Sequence, residues 1–158
     1  MANEEVMTFD GTPSTVITTT GTIADGIFTV ASTNATITEF DNSTDLWPRA
    51  VATLKLPDTF LAAPDAGSTI DLYMAVQDLA GDTADDETAP TTTDQKGAKW
   101  IASFRLYATD ENQPKQEVIS LLGVQKAKFY LQNNSGTTMS FSAGATLEIE
   151  GFTLEPAA

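Results

Sequence analysis

The sequence predicts an all-β protein: a jelly-roll-like antiparallel β-sandwich preceded by an extended N-terminal arm. Three observations carry the prediction. Apolar residues alternate with polar ones in short segments, the period of a half-buried strand. Those segments are filled with Thr, Val, Ile and Phe, which suit a pleated surface. Gly, Pro, Asn and Asp punctuate them at about ten-residue spacing, which gives roughly eight or more strands. Helical stripes, heptads and fixed-period repeats are missing, so bundles, coiled coils, solenoids and propellers are not expected. Long, unequal loops favour a jelly roll over an up-and-down barrel.

Residues 1–20 read as the arm and 21–158 as the sandwich. In the arm, Met7 and Phe9 alternate, Gly11-Thr12-Pro13 breaks the run, and Val16 and Ile17 sit among threonines. Residues 21–30 form a bent strand or strand pair, with Ile23 in one half, Phe28 and Val30 in the other, and Asp25-Gly26 as the turn. Ile37 and Phe40 mark a short strand, and Trp47 is expected as a core plug. Over 49–56, Ala52, Leu54 and Leu56 share one face until Pro57 stops the run. The clearest alternation spans 69–78, with Ile70, Leu72, Met74 and Val76 inward. A long polar loop follows to about residue 97. Trp100, Ala102, Phe104 and Leu106 share a face of the next strand. Residues 117–122 and 126–132 alternate likewise, the latter burying Ala127, Phe129 and Leu131. Asn133-Asn134-Ser135-Gly136 signals a hairpin to 137–142. The last strand spans 146–154, with Leu147, Ile149 and Phe152 as buried positions and Gly151 as a candidate bulge.

Composition narrows the function. A chain of 158 residues, 41% hydrophobic, supports one ordinary domain with a core. No apolar run approaches the roughly 18 residues that span a bilayer, and Met1-Ala2-Asn3-Glu4-Glu5 lacks the basic and apolar regions of a secretory signal. There is no Cys and no His. Thiol nucleophiles, zinc-thiolate sites and the commonest general base are therefore excluded, and no catalytic residue is assigned. The net charge of -14 repels phosphate backbones and anionic lipid, so neither nucleic acid nor membrane is an expected partner. No Lys or Arg precedes Arg49; that acidic stretch serves solubility or meets a basic partner surface.

Two groups of residues are candidate sites. The acidic loop holds Asp82, Asp85, Asp86 and Glu87, with Asp78 before it, and hard cations such as Ca²⁺ bind converging oxygens. The spacing does not match a calcium-loop motif, so a solvated loop without a resident cofactor is the expected reading and a Ca²⁺ site its alternative. Tyr73, Tyr107 and Tyr130 fall on the more polar faces of their strands. There they either stack on sugars or bury at a protein interface, or the arm and loops cover them.

Three stretches carry a family resemblance. They are Gly67-Ser68-Thr69-Ile70-Asp71-Leu72-Tyr73 with the polar loop from Gly81-Asp82; Lys126-Ala127-Lys128-Phe129-Tyr130-Leu131-Gln132-Asn133-Asn134-Ser135-Gly136; and Leu147-Glu148-Ile149-Glu150-Gly151-Phe152-Thr153. Over about residues 50–155 the chain resembles small virion proteins of tailed bacteriophages, encoded among head and tail genes and often jelly-roll-like. Some of these decorate or cement capsids. The resemblance implies a non-enzymatic virion protein, made in the host cytoplasm, that binds the major capsid protein on the capsid exterior and stabilises the head. A homotrimer at a symmetry axis fits that role. The alternative is a tail-associated carbohydrate-binding β-sandwich.

Overall fold

The computed structural model describes residues 5–9, 11–19, 22–30, 34–56, 64, 67–77, 90–107, 113–140 and 145–156. Among them there is no helix. The strands are β1 (Glu5–Phe9), β2 (Ser14–Thr19), β3 (Thr22–Ile23), β4 (Ala35–Ile37), β5 (Phe40–Asp41), β6 (Arg49–Lys55), β7 (Thr69–Gln77), β8 (Lys99–Arg105), β9 (Lys115–Ser120), β10 (Lys126–Asn134), β11 (Met139–Ser140) and β12 (Thr146–Pro156). They form an antiparallel β-sandwich. One sheet runs β4-β2-β12-β6-β9, with β1 also paired to β12; the other runs β5-β10-β7-β8. A short ribbon joins β3 to β11.

Alternation in the sequence aligns the two sheets. In β7, Ile70, Leu72 and Met74 turn inward opposite Asn133, Leu131 and Phe129 of β10. From the six-stranded sheet, Ile17, Ala50, Ala52, Leu54, Ile119, Leu147 and Ile149 meet them. Burying each larger aliphatic or Phe side chain of this core contributes about 1.5–3 kcal/mol. Val76, expected inward, is exposed instead. Pairing with β8 stops at Met74, so among the described residues no third strand flanks it.

Within 1–20 the described strands Glu5–Phe9 and Ser14–Thr19 are extended, but both are paired into a sheet. Glu5–Phe9 pairs with β12, and Ser14–Thr19 pairs with both β12 and β4. The register between β2 and β12 shifts at Leu147/Glu148. That bulge turns consecutive Val16 and Ile17 both into the core. A strict period-two reading of this Thr-rich stretch hides the pair.

Gly151 is not a bulge towards β6, since that register runs straight through Gly151↔Ala50. Its missing side chain makes room for Trp47. A Cβ there would overlap Cγ, Cδ2 and Cε3 of the indole, whose far edge rests on Gly11. Trp47 is half-buried against the core, as its reading as a plug anticipates. Buried Asn42 fixes it: Oδ1 accepts from the Trp47 backbone N–H at 2.9 Å, and Nδ2 donates to the carbonyls of Trp47 and Val124 at 3.0 and 2.9 Å.

Candidate interaction surfaces

The structure separates the three tyrosines. Tyr73 and Tyr130 are directly opposed on the outer face of the four-stranded sheet. They are only 8% and 4% exposed. Phe28 bridges to Gln132 beside β10 and lays its ring edge-on against Tyr73, centroids 5.0 Å apart. Its backbone N–H donates to the Thr92 carbonyl, and Ala98 completes the cover. Phe28, Tyr73, Ala75, Ala98 and Tyr130 thus form a second small core outside the sheet. Neither Tyr73 nor Tyr130 is open to a partner. Burial, with the Asp71 carboxylate adding to it, pushes the Tyr73 hydroxyl above the ordinary tyrosine range. Tyr107 remains 48% exposed, with the Arg105 guanidinium and the Lys115 ammonium each 5.6 Å from its ring centroid.

Alternation puts Trp100 on one strand face with Ala102, Phe104 and Leu106, and the structure separates it from those three, which are buried. Between Leu72 and Tyr73 the register with β8 slips: Leu72 faces Ala102, but Tyr73 faces Trp100. The extra residue, Ile101, packs on the main core, and Trp100 is turned to the outer face, 56% exposed. No periodicity argument could find this, because a bulge resets the period without a composition signal. Beside the indole lies a polar network. Trp100 Nε1–H donates to Ser103 Oγ (3.1 Å), and the Ser103 hydroxyl donates to Asp71 Oδ1 (2.6 Å). Asn134 Nδ2 donates to Asp71 Oδ2 (2.7 Å), and the Tyr73 hydroxyl donates to Gln132 Oε1 (3.1 Å).

The outer face of the six-stranded sheet is apolar where β1 meets β12. Cross-strand pairing places Met7 beside Leu154 and Phe9 beside Phe152, the two Phe rings 5.7 Å apart. Val51 and Val118 continue the row on β6 and β9. Met7, Phe9, Leu154 and Val118 are exposed, while Val51 and Phe152 form the buried floor. A cleft of about 240 Å³ opens here, with Gln116, Glu117 and Glu150 among its walls. A second cleft, of about 110 Å³, lies between Leu46, Trp47 and the turn at Leu121-Leu122-Gly123.

A surface ion-pair cluster surrounds Lys126. Lys126 Nζ lies 3.0 Å from Glu39 and 3.5 Å from Asp41. Hydrogen bonds from Ser43, then Lys126, hold the Asp41 carboxyl below its usual range; the bond to Glu39 and the charge of Asp41 raise Lys126. The calcium candidates Asp82, Asp85, Asp86 and Glu87 lie outside the described residues. Among the described residues no three acidic side chains converge on a common point. Comparison of the chain with protein-family models, curated proteins and solved structures found no match.

Proposed function

We propose that the protein is a non-enzymatic structural component of a phage virion that docks on the outer capsid surface and stabilises the head. The observation that carries the docking part is the apolar outer face of the six-stranded sheet. Exposed Met7, Phe9, Leu154 and Val118 form a contiguous patch on a chain of net charge -14, and such patches mark interaction sites. Glu117 and Glu150 line its cleft. A second copy would bring carboxylates against carboxylates, so the charge favours an apolar partner surface with a basic rim. The major capsid protein is the partner that the resemblance in three strand-and-turn stretches suggests; this is argument by analogy.

The strand order is compatible with that reading. Counting β4 and β5 as one bent strand and taking the eight main strands in chain order, the sheets run 2-1-8-3-6 and 2-7-4-5, the bent strand contributing its first half to one sheet and its second half to the other. Nested Greek keys give this order, as in jelly rolls of viral capsid proteins. Modest contacts repeated over a shell add by avidity.

Quantitative mass spectrometry of purified particles from the source virus tests the role. The expected result is a copy number comparable to that of the major capsid protein. A Met7→Ser/Phe9→Ser variant is expected to remain folded and to lose head binding in a pelleting assay. Absence from particles removes the virion reading, and undiminished binding by the variant removes this face as the dock.

A further inference from the structure

We propose that the outer face of the four-stranded sheet carries a binding subsite for a neutral sugar ring, built on Trp100 with Asp71, Asn134 and Gln132. The subsite stands on observations separate from the docking face, on the opposite side of the sandwich.

Among the described residues Trp100 joins neither hydrophobic cluster, and it is 56% exposed. Aromatic side chains bury large areas when they serve a core; this one gives the fold little. Its orientation is nevertheless set. The indole N–H is held by Ser103 Oγ at 3.1 Å, and the Ser103 hydroxyl by Asp71 at 2.6 Å. With its polar atom tied down towards the sheet, the indole offers solvent its apolar surface.

The polar side is equally fixed. Ser103, Asp71 and Gln132 stand opposite one another across β8, β7 and β10, at the strand spacing of about 4.8 Å. Asn134 reaches in from the next outward position of β10 to Asp71 Oδ2 at 2.7 Å and to Gln132 Oε1 at 3.3 Å. Gln132 is anchored by donation to the Gly26 carbonyl at 3.1 Å and by acceptance from Tyr73 at 3.1 Å. Side chains locked before the ligand arrives cost little further ordering when it binds. A carboxylate has about four lone-pair positions, so Asp71 can accept from a ligand hydroxyl in addition to its two bonds.

An exposed flat ring beside a row of pre-set polar groups fits a molecule with one apolar face and a hydroxyl-bearing edge. A pyranose has that shape: its axial C–H bonds cover the ring while its equatorial hydroxyls meet the network. Nucleobases also stack on aromatics, but their phosphates meet a chain of charge -14. The same charge disfavours uronates and other acidic sugars. Neutral hexose or N-acetylhexosamine oligomers remain.

Tryptophan fluorescence tests the subsite, because the chain has two tryptophans and Trp47 is half-buried against the main core. The full chain is titrated with pentasaccharides of glucose (β-1,4, β-1,3 and α-1,4), mannose, galactose and N-acetylglucosamine, with oligogalacturonate as the acidic comparison. At least one neutral oligomer is expected to give a saturable change. Its affinity is expected to fall about tenfold or more in Trp100→Ala and several-fold in Asp71→Asn. Met7→Ser/Phe9→Ser is expected to leave it unchanged. Melting temperatures of the variants establish that each is folded, and Trp100→Ala, at an exposed position, keeps the test available if Asp71→Asn is not. The proposal is overturned by no saturable change with any neutral oligomer, by binding that Trp100→Ala leaves intact, or by preference for the acidic oligomer.

Discussion

Replacing Gly151 by Ala adds one methyl group to a strand, where Ala is ordinarily no worse than Gly. Here the structure predicts a large loss. The new Cβ falls on Cγ, Cδ2 and Cε3 of Trp47, the root of the indole rather than a movable tip. The ring cannot simply lift, because Asn42 holds the Trp47 backbone from both sides and Phe40 stands 6.4 Å from the indole. Overpacking of this kind costs about 1–3 kcal/mol, and expelling a large aromatic about 3–5 kcal/mol. We take about 3 kcal/mol as the expected loss. With an unfolding entropy of ~2.1 cal/mol/K per residue over 158 residues, the melting temperature falls by about 9 °C. Thermal and urea denaturation measure this, and Trp47 emission reports whether the ring has moved into water. In a Trp47→Ala background, Gly151→Ala is expected to be nearly neutral, a coupling that a double-mutant cycle reads directly. A Gly151→Ala protein within about 1 kcal/mol of the parent, or equal losses in both backgrounds, would refute the reasoning.

Asn42→Ala removes three side-chain hydrogen bonds and leaves backbone groups of Trp47 and Val124 without them; a loss of about 3 kcal/mol in urea denaturation is expected. Deleting residues 1–10 removes β1 and uncovers Phe152, costing about 2 kcal/mol, whereas deleting 1–20 also removes buried Val16 and Ile17 and should leave no cooperative unfolding transition. Equal melting temperatures for the two truncations would contradict that ranking. The raised pKa of Tyr73 means that the folded state holds its proton more tightly. That stabilisation is complete below the unfolded value near 10.0 and is lost as pH rises through the folded value. Tyr73→Phe should therefore lose less stability than the parent between neutral pH and pH values above 10.0. For Asp41 the sign is opposite: its lowered pKa adds stability above the ordinary carboxylate range, lost as pH falls through the folded value, so Asp41→Asn should flatten the acid limb.

Where one strand's alternation runs unbroken, the sequence was enough. Ile70, Leu72 and Met74 in β7 and Ala127, Phe129 and Leu131 in β10 sit in the core as their spacing requires. Legibility fails at the two register slips. The bulge beside Val16-Ile17 conceals a core strand in what reads as an arm, and the bulge at Ile101 turns Trp100 outward. Alternation did place Tyr73 and Tyr130 on the outer face. What buries them is Phe28 and Ala98, far away in the chain, and no local pattern announces such a cover. Gly151 shows the same limit: a strand glycine signals that something is unusual, but only the fold reveals that the something is Trp47.

Strand β12 pairs with β2 and β1 along one edge and with β6 along the other. It is therefore the seam of its sheet, although it lies at residues 146–156. During synthesis β1, β2 and β6 emerge well before it and have no way to complete their shared sheet. At about 5–20 residues per second, the nascent chain spends several seconds with those strand edges unpaired. Folding of this sandwich is thus a closing event that waits for β12 rather than a strand-by-strand growth along the ribosome's output, and its slow, long-range character leaves a window in which aggregation competes with the native pairing.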